Sequence, residues 1–263
     1  MSEQHPASRH VTRDDHRQVP RCEAGFVFAL ETEAHPFAAL VDDARETTGT
    51  LHFHEGLLRG RRIAWVVSGA GSAAATRAAV ALVDGHAPRR IVSAGFAGGL
   101  DPALRRGSLA VAARVLAAGQ APRSLAAAEL PGATAVGSIV TVDRVVTTAD
   151  AKRALREATG AALVDMETFA VAGVAQAAGL PCFSIRVVSD AADDEIPGDL
   201  AALVAPQSPL RRAGAALAAL GRRPAAAKAM WRLWENAVVD GKALADALAH
   251  LAEGWPDGAD EPA

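Results

Sequence analysis

Cysteine is scarce in this chain, and the histidines do not cluster at the spacing of a metal site. The two cysteines, Cys22 and Cys182, are too few for a disulfide framework, and Cys182 lies in an apolar run typical of a buried free thiol. His52 and His54 would share one face of a strand, but no third candidate ligand lies near them in the sequence. The sequence therefore predicts neither a disulfide scaffold nor a metal site.

An excess of positive charge is also missing, as is any long apolar run. The formal net charge is −3, so no overall basic field would attract nucleic acid or an anionic membrane. No stretch approaches the roughly 18 consecutive apolar residues of a transmembrane helix. Residues 1–21 are polar and lack the apolar core of a signal peptide. We therefore expect a cytoplasmic protein with disordered tails at 1–21 and 255–263.

Small aliphatic residues, by contrast, are abundant. Half of the residues are apolar, aromatics make up 4%, and alanine supplies much of the apolar share. The 263 residues fit one large domain with appendages better than two full domains. Strand patterns alternate with helical patterns, which favours an α/β fold with a mixed, largely parallel sheet flanked by helices. We predict this domain at 22–205 and a C-terminal helical extension at 206–254.

The individual elements are predicted from apolar periodicity and from glycine, proline and capping residues. The predicted strands span residues 24–30, 49–55, 61–68, 91–95, 108–115, 137–142, 162–165 and 182–189. The predicted helices span residues 31–41, 71–84, 148–159, 167–178, 211–220 and 224–251.

Polar and glycine-rich segments follow the carboxyl ends of several predicted strands. Parallel sheets place their chemistry at this edge, so the convergence predicts an active site there. The segments are Glu31 with Glu33, residues 68–71, residues 95–99, Met166 with Glu167, and Ser189 with Asp190.

Each segment taken alone leaves alternatives open. Residues 69–74 partly match the dinucleotide-binding fingerprint, but the next strand ends in Ser93-Ala94-Gly95 without the acidic residue that a dehydrogenase needs. Glu167 is either a ligand-binding carboxylate or an ordinary acid in a first helical turn. Asp190 is either a helix cap or a catalytic acid.

Taken in order, the motifs resemble those of the purine nucleoside phosphorylase and nucleosidase superfamily, and within it the methylthioadenosine/S-adenosylhomocysteine nucleosidases. The resemblance covers residues 24 to about 199, and it is specific because five motifs occur in the same order. The matching segments are Leu30-Glu31-Thr32-Glu33, Ser68-Gly69-Ala70-Gly71, residues 94–100, Asp165-Met166-Glu167 and Val188-Ser189-Asp190.

The resemblance implies an N-glycosidase that hydrolyses an adenine nucleoside to adenine and a 5-substituted ribose, with no metal or organic cofactor. Asp190 would protonate N7 of the leaving purine, Glu33 would activate the attacking water, and Glu167 and Met166 would hold the ribose. The other residues predicted to bind substrate are Ala70 beside the 5′ group, Val145 and Val146 at the base, and Phe96, Gly98 and Ser189 in the matching motifs.

Physical chemistry agrees with this division of labour. The transition state resembles a ribosyl cation, and adenine leaves poorly until it is protonated. One carboxyl must deliver a proton to the base while another accepts one from water, as in inverting glycosidases. The two therefore need different environments, and Asp190 at the end of a buried strand is our candidate for the protonated one.

Two departures from the family refine the expected substrates. The first loop, residues 31–37, lacks the arginine that phosphorylases use for phosphate, which favours water as the nucleophile over a phosphate-dependent phosphorylase. Only residues 116–136 occupy the interval where small-substrate nucleosidases carry a long insertion, and Ala70 stands where a larger aliphatic residue is common. Both changes predict an open 5′ pocket, similar to that of a hopanoid-associated branch that acts on a lipid adenosyl nucleoside.

The expected partners are a nucleoside and, from the resemblance, a second copy in a homodimer. A nucleoside-binding module without catalysis is the non-enzyme alternative, and the presence of both Glu33 and Asp190 argues against it. The basic C-terminal helices, with Trp231 and Trp234 on one side, either make weak contact with a membrane surface or cover the sheet or dimer seam. We favour the second interpretation, because most amphipathic helices pack on their own core.

Overall fold

A computed structural model describes residues 21–47, 51–196 and 224–255, with side chains from residue 236 onward in the last range. In these residues a 12-stranded mixed sheet is flanked by helices, and a helix lies at the C-terminal side. The expected α/β fold with a mixed, largely parallel sheet and a C-terminal helix is confirmed.

The elements are numbered here in chain order. The strands are β1 Ala24–Phe28, β2 Asp42–Thr47, β3 Phe53–Leu58, β4 Arg61–Val67, β5 Ile91–Gly99, β6 Leu109–Ala112, β7 Arg114–Ala117, β8 Arg123–Ser124, β9 Thr134–Val136, β10 Ile139–Thr141, β11 Leu163–Asp165 and β12 Cys182–Asp190. The helices are α1 Glu31–Ala38, α2 Ser72–His86, α3 Ala149–Thr159, α4 Thr168–Ala177 and α5 Pro224–Glu253.

The sheet is organised around the long strand β5. The main strand order is β2-β3-β4-β1-β5-β11-β10-β7-β8, with β12 paired to β5 and β6, and β9 paired to β6. β5 runs parallel to β1 and β12 and antiparallel to β11. Because β1, β5 and β12 are parallel neighbours, the residues that follow β1 and end β5 and β12 meet at one edge of the sheet.

An aromatic cluster fills the core between β1 and the helices α1 and α5. Phe37 on α1 packs against Phe26 and Phe28 on β1, with ring centroids 4.7 and 5.2 Å apart. Trp255, just after α5, packs 6.2 Å from Phe26, and the apolar side of α5 from Leu244 onward is buried in the same cluster. This part of α5 therefore covers the core, as the favoured interpretation of the C-terminal helices expected.

The structure differs from the predicted elements mainly around the edges of the sheet. β2 was missed because its six residues are all exposed and show no alternation of apolar side chains. The strand predicted at 108–115 is two strands, β6 and β7, which pair with different partners. The glycines expected just after β5 belong to that strand, which continues to Gly99. The interval 116–136 contains β8 and β9.

Several predictions concern residues that the structure leaves undescribed. The helix expected at 211–220, the side chains of Trp231 and Trp234, and most of both tails lie outside the described residues. Trp255, which we assigned to the second tail, is buried. In the part of the chain that is described, no helix is both long and apolar enough to cross a membrane.

Candidate active site

A cavity of about 390 Å³ opens at the edge where β1, β5 and β12 meet. All the residues predicted to act in catalysis or substrate binding line it: Glu33, Ala70, Phe96, Gly98, Val145, Val146, Met166, Glu167, Ser189 and Asp190. The structure thus brings the predicted set together in one place, while the role of each member remains a prediction. Further lining residues are Leu30, Thr32, Arg144, Asp165, Ile196, Asn236, Ala237 and Asp240.

Glu33 is the most deeply buried carboxylate of the predicted set, at 3% exposure. Its Oε2 accepts hydrogen bonds from the backbone N–H groups of Ala29 and Leu30, each at 2.9 Å, and its Oε1 accepts one from Phe96 N–H at 2.8 Å. Burial raises the pKa of Glu33, and the backbone N–H donors oppose that rise. Glu31, two residues earlier, is exposed.

Glycine at position 95 leaves the space that Glu33 occupies. A Cβ atom at Gly95 would lie 2.7 Å from Glu33 Oε1, closer than side-chain carbons approach in folded proteins. The absence of a side chain at Gly95 therefore allows β5 to pack closely against the carboxylate of Glu33.

Asp190 ends β12 and has a different set of neighbours. Its Oδ1 accepts a hydrogen bond from Ser189 Oγ at 2.6 Å, and the ammonium nitrogen of Lys152 lies 2.6 Å from its Oδ2. A Cβ atom at Gly98 would lie 3.2 Å from Oδ2, so a glycine on β5 makes room for this carboxylate as well.

Glu167 links two of the motifs that the sequence presented separately. It occupies the N-cap position of α4, and its Oε1 accepts a hydrogen bond from Gly71 N–H at 2.7 Å. The glycine-rich turn at 69–71 thus offers a backbone donor to this carboxylate. Burial, with the neighbouring charge of Asp165, raises the pKa of Glu167 to about 7.

Behind Glu167 lies a buried network that the sequence analysis missed. Arg186, 2% exposed on β12, donates from Nη2 to Asp165 Oδ2 at 2.8 Å, to Thr168 Oγ1 at 2.6 Å and to Ser93 Oγ at 2.7 Å. Thr141 Oγ1 donates to Asp165 Oδ1 at 2.6 Å. An arginine inside an otherwise apolar strand was the available signal, because a buried guanidinium needs acceptors around it.

The helix α5 supplies a wall that the sequence did not connect with the site. Asn236, Ala237 and Asp240 line the cavity, and Arg106 holds the buried Asp240 with hydrogen bonds of 3.0 and 2.9 Å to its two carboxylate oxygens. Burial raises the pKa of Asp240, and Arg106 opposes that rise. The C-terminal helix therefore lines the cavity and also packs in the core.

Among the described residues, the lining of the cavity combines apolar walls with carboxyl groups and one cationic side chain, that of the exposed Arg144. Lys152 and Arg186, both buried, are held by the acceptors described above. Within the described residues no group of three histidine, cysteine, aspartate or glutamate side chains could hold a metal ion. The arrangement suits proton transfer to and from a largely apolar ligand with a few polar groups.

The fold and the cavity define a member of the phosphorylase superfamily. The model of that family matches residues 23–125 and 115–223, which together cover most of the chain. The chain belongs to this family.

Nucleosidases are among the relatives and structural neighbours of the chain. A 5′-methylthioadenosine/S-adenosylhomocysteine nucleosidase of Shewanella oneidensis is 26% identical over 209 residues, covering 68% of this chain and 89% of the relative. The Shewanella putrefaciens protein of the same name is 28% identical over 204 residues, 66% of this chain and 88% of the relative. The S-adenosylhomocysteine nucleosidase of Streptococcus pyogenes, solved with 5-methylthiotubericidin, superimposes with a TM-score of 0.68 at 20% identity, covering 90% of this chain and 98% of that one.

Proposed function

We propose that this protein hydrolyses the N-glycosidic bond of an adenine nucleoside and releases adenine and a 5-substituted ribose. The observation that carries the proposal is that Glu33 and Asp190 face one cavity from different environments. Each packs against a glycine of β5, and Gly95 and Gly98 are three residues apart, about 10 Å along a strand. Two carboxyl groups in distinct environments are what an acid and a base on opposite sides of a ribosyl ring require.

Asp190 is the proposed general acid. As the C1′–N9 bond breaks, its electron pair passes into the adenine ring, and Asp190 delivers a proton to N7. The hydrogen bond from Ser189 orients the carboxyl group toward the cavity. Proton transfer by a positioned side chain contributes about 10²–10⁴-fold to the rate of such a reaction.

Glu33 is the proposed general base. Its three backbone donors hold it in one position and favour its charged form, which is the form that can accept a proton. It takes a proton from water as that water attacks C1′. Glu167, with Met166 beside it, binds the ribose hydroxyls.

Water is favoured over phosphate by the charges of the cavity. Among the described residues that line it, the cationic side chain is the exposed Arg144, whereas a phosphate dianion needs cationic groups held around it. The same logic limits the nucleophile to a small neutral molecule.

The test is release of free adenine from a panel of nucleosides, each with and without phosphate. The panel should contain 5′-methylthioadenosine, S-adenosylhomocysteine and an adenosine with a long apolar 5′ chain, because the 5′ substituent remains open. We expect release without phosphate. Strict dependence on phosphate would indicate a phosphorylase, and tight binding without release would indicate a nucleoside-binding module. The homodimer implied by the resemblance stays a prediction, to be checked by light scattering.

A further inference from the structure

A fully buried lysine lies against the carboxylate of Asp190. Lys152, on α3, has 0% exposure. Its Nζ donates hydrogen bonds to the carbonyl oxygens of Ala191 at 2.6 Å and Asp194 at 3.0 Å, and it lies 2.6 Å from Asp190 Oδ2. Burying an ammonium group is costly unless acceptors surround it, and here they do.

We propose that Lys152 is a positioning residue for the reaction, acting through Asp190. Its ammonium fixes the Asp190 carboxyl group and stabilises the negative charge that develops there as the proton leaves for the adenine. This inference rests on the proposed role of Asp190 as the general acid. Lys152 is not among the residues that line the cavity, so it acts without touching the substrate.

The positioning follows from what holds each oxygen of the carboxylate. Oδ1 accepts the hydrogen bond of Ser189 Oγ, and Oδ2 lies 2.6 Å from Lys152 Nζ. Oδ2 is also close to the backbone of β5, because a Cβ atom added at Gly98 would lie only 3.2 Å from it. A hydrogen bond on one oxygen and an ion pair at the other keep the carboxyl group in one orientation, which preserves the alignment that proton transfer requires.

Lys152 also joins the two segments that flank the predicted base site. It reaches from α3 to the turn after β12, and Ile196 N–H donates to Thr147 O at 2.8 Å between the same two segments. Val145 and Val146, which we expect at the base, lie just before α3 and are separated from it by Thr147 and Thr148. One side chain therefore ties the base-binding segment to the proposed acid.

The charge argument concerns the transition state. When Asp190 transfers its proton to N7, the neutral carboxyl becomes a carboxylate, and Lys152 keeps all three of its own protons. An ammonium already in place 2.6 Å away stabilises that new charge without reorganisation. Removing the charge of Lys152 should therefore lower kcat for leaving groups that need protonation. The same change should have no effect on kcat in a variant whose residue 190 has no proton to give.

The experiment is a double-mutant cycle in the full chain with 5′-methylthioadenosine, using Lys152→Gln, Asp190→Asn and the double variant. Glutamine can still donate to the carbonyls of the 191–194 turn but carries no charge. We expect Lys152→Gln to lower kcat about 10–100-fold with KM within about threefold, and to cost nothing further in the Asp190→Asn background. Arg153→Gln, which removes a 65% exposed cation from the next position of α3, should change kcat less than twofold.

Two further measurements keep the outcome decisive. A riboside with a p-nitrophenyl leaving group needs no proton, so its hydrolysis should survive Lys152→Gln. If Lys152→Gln unfolds at the assay temperature, Lys152→Arg keeps the charge and should retain at least a tenth of the wild-type kcat. If Lys152→Gln lowered kcat by the same factor in the wild-type and the Asp190→Asn backgrounds, the role of Lys152 would be structural only, and the inference would be overturned. A harmless Asp190→Asn would instead overturn the proposed acid, whatever Lys152 does.

Discussion

The two ends of the cavity hold their carboxylates by different means. Glu33 is held by neutral backbone N–H groups from the first loop and from β5, while Asp190 has a hydroxyl on one oxygen and a full positive charge beside the other. Backbone dipoles fix a carboxylate without a counter-ion, so burial still raises the pKa of Glu33. This differs from our expectation that Asp190 would be the carboxyl kept protonated by its surroundings. Of the two, the carboxyl whose pKa burial raises is Glu33, while Asp190 lies 2.6 Å from a buried ammonium group.

The largest effect should come from Asp190→Asn. The amide can hydrogen-bond N7 but has no proton to deliver, so kcat for an adenine nucleoside should fall about 10²–10⁴-fold while ligand affinity changes little. Initial rates and binding of adenine by calorimetry measure the two quantities separately. Asp193→Asn, at an exposed position of the same turn, is the matched control. A variant within about threefold of wild type would remove Asp190 from the mechanism.

Glu33→Gln tests the other end of the cavity and should lower kcat about 10²-fold or more, because an amide cannot accept a proton from water. The side chain also meets three backbone donors, and the amide NH₂ cannot accept from all of them. Thermal unfolding should therefore be recorded beside the rates. Glu31→Gln is the control, since Glu31 is exposed. Should Glu31→Gln be crippled and Glu33→Gln remain active, the match of this motif to the family would be displaced by two residues.

The sequence could predict the fold class from local patterns, and the residues around the cavity from those patterns together with the family resemblance, which alone pointed to Val145 and Val146. Strand ends followed by glycine or acid can be recognised in one dimension, and parallel topology brings them to one edge. Lys152 could not be recognised, because α3 carries several charged residues and a lysine on such a helix is normally solvent-exposed. Its burial depends on the turn after β12, which contacts it from 39 residues away.

The wall formed by α5 was missed for a related reason. The helix itself was predicted, but its position over the cavity depends on contacts with α1 and on the pair between Arg106 and Asp240, which are 134 residues apart. β2 was missed because a charged edge strand lacks the alternation that identifies buried strands.

Substitutions at the glycines of β5 can disturb the Glu33 and the Asp190 carboxyl groups separately. Gly95→Ala would place a Cβ atom 2.7 Å from Glu33 Oε1, whereas Gly98→Ala would place one 3.0 Å from Val164 and 3.2 Å from Asp190 Oδ2. We expect Gly95→Ala to lower kcat about 10–100-fold and the free energy of unfolding by about 1–3 kcal/mol, and Gly98→Ala to do less of both.

Gly85→Ala provides the control for these substitutions. Gly85 lies in α2 with no atom within 4 Å of an added Cβ, so alanine there should stabilise the protein by up to about 1 kcal/mol and leave kcat unchanged. Equal kcat values for all three alanine variants would show that close packing against β5 does not determine the positions of the Glu33 and Asp190 carboxyl groups.

The last expected effect is mainly one of stability and comes from Glu167, which lines the same cavity. Its pKa in the folded protein is about 7, above the ordinary 4.5, because burial and Asp165 disfavour the charged form. A raised carboxyl pKa means that the folded state binds the proton more tightly than the unfolded chain. This contribution to stability is fully present below about pH 4.5 and is lost as the pH rises through about 7. Glutamine imitates the protonated form and can still accept the hydrogen bond from Gly71 N–H. Glu167→Gln should therefore be more stable than wild type by about 1–3 kcal/mol at pH 8, with the difference shrinking toward zero near pH 4.5, while hydrolysis falls. Urea unfolding at both pH values measures this, with the exposed Glu31→Gln as the control, expected to differ from wild type by less than about 0.5 kcal/mol. A Glu167→Gln variant less stable than wild type at pH 8 would mean that the hydrogen bonds to the charged carboxylate outweigh its burial.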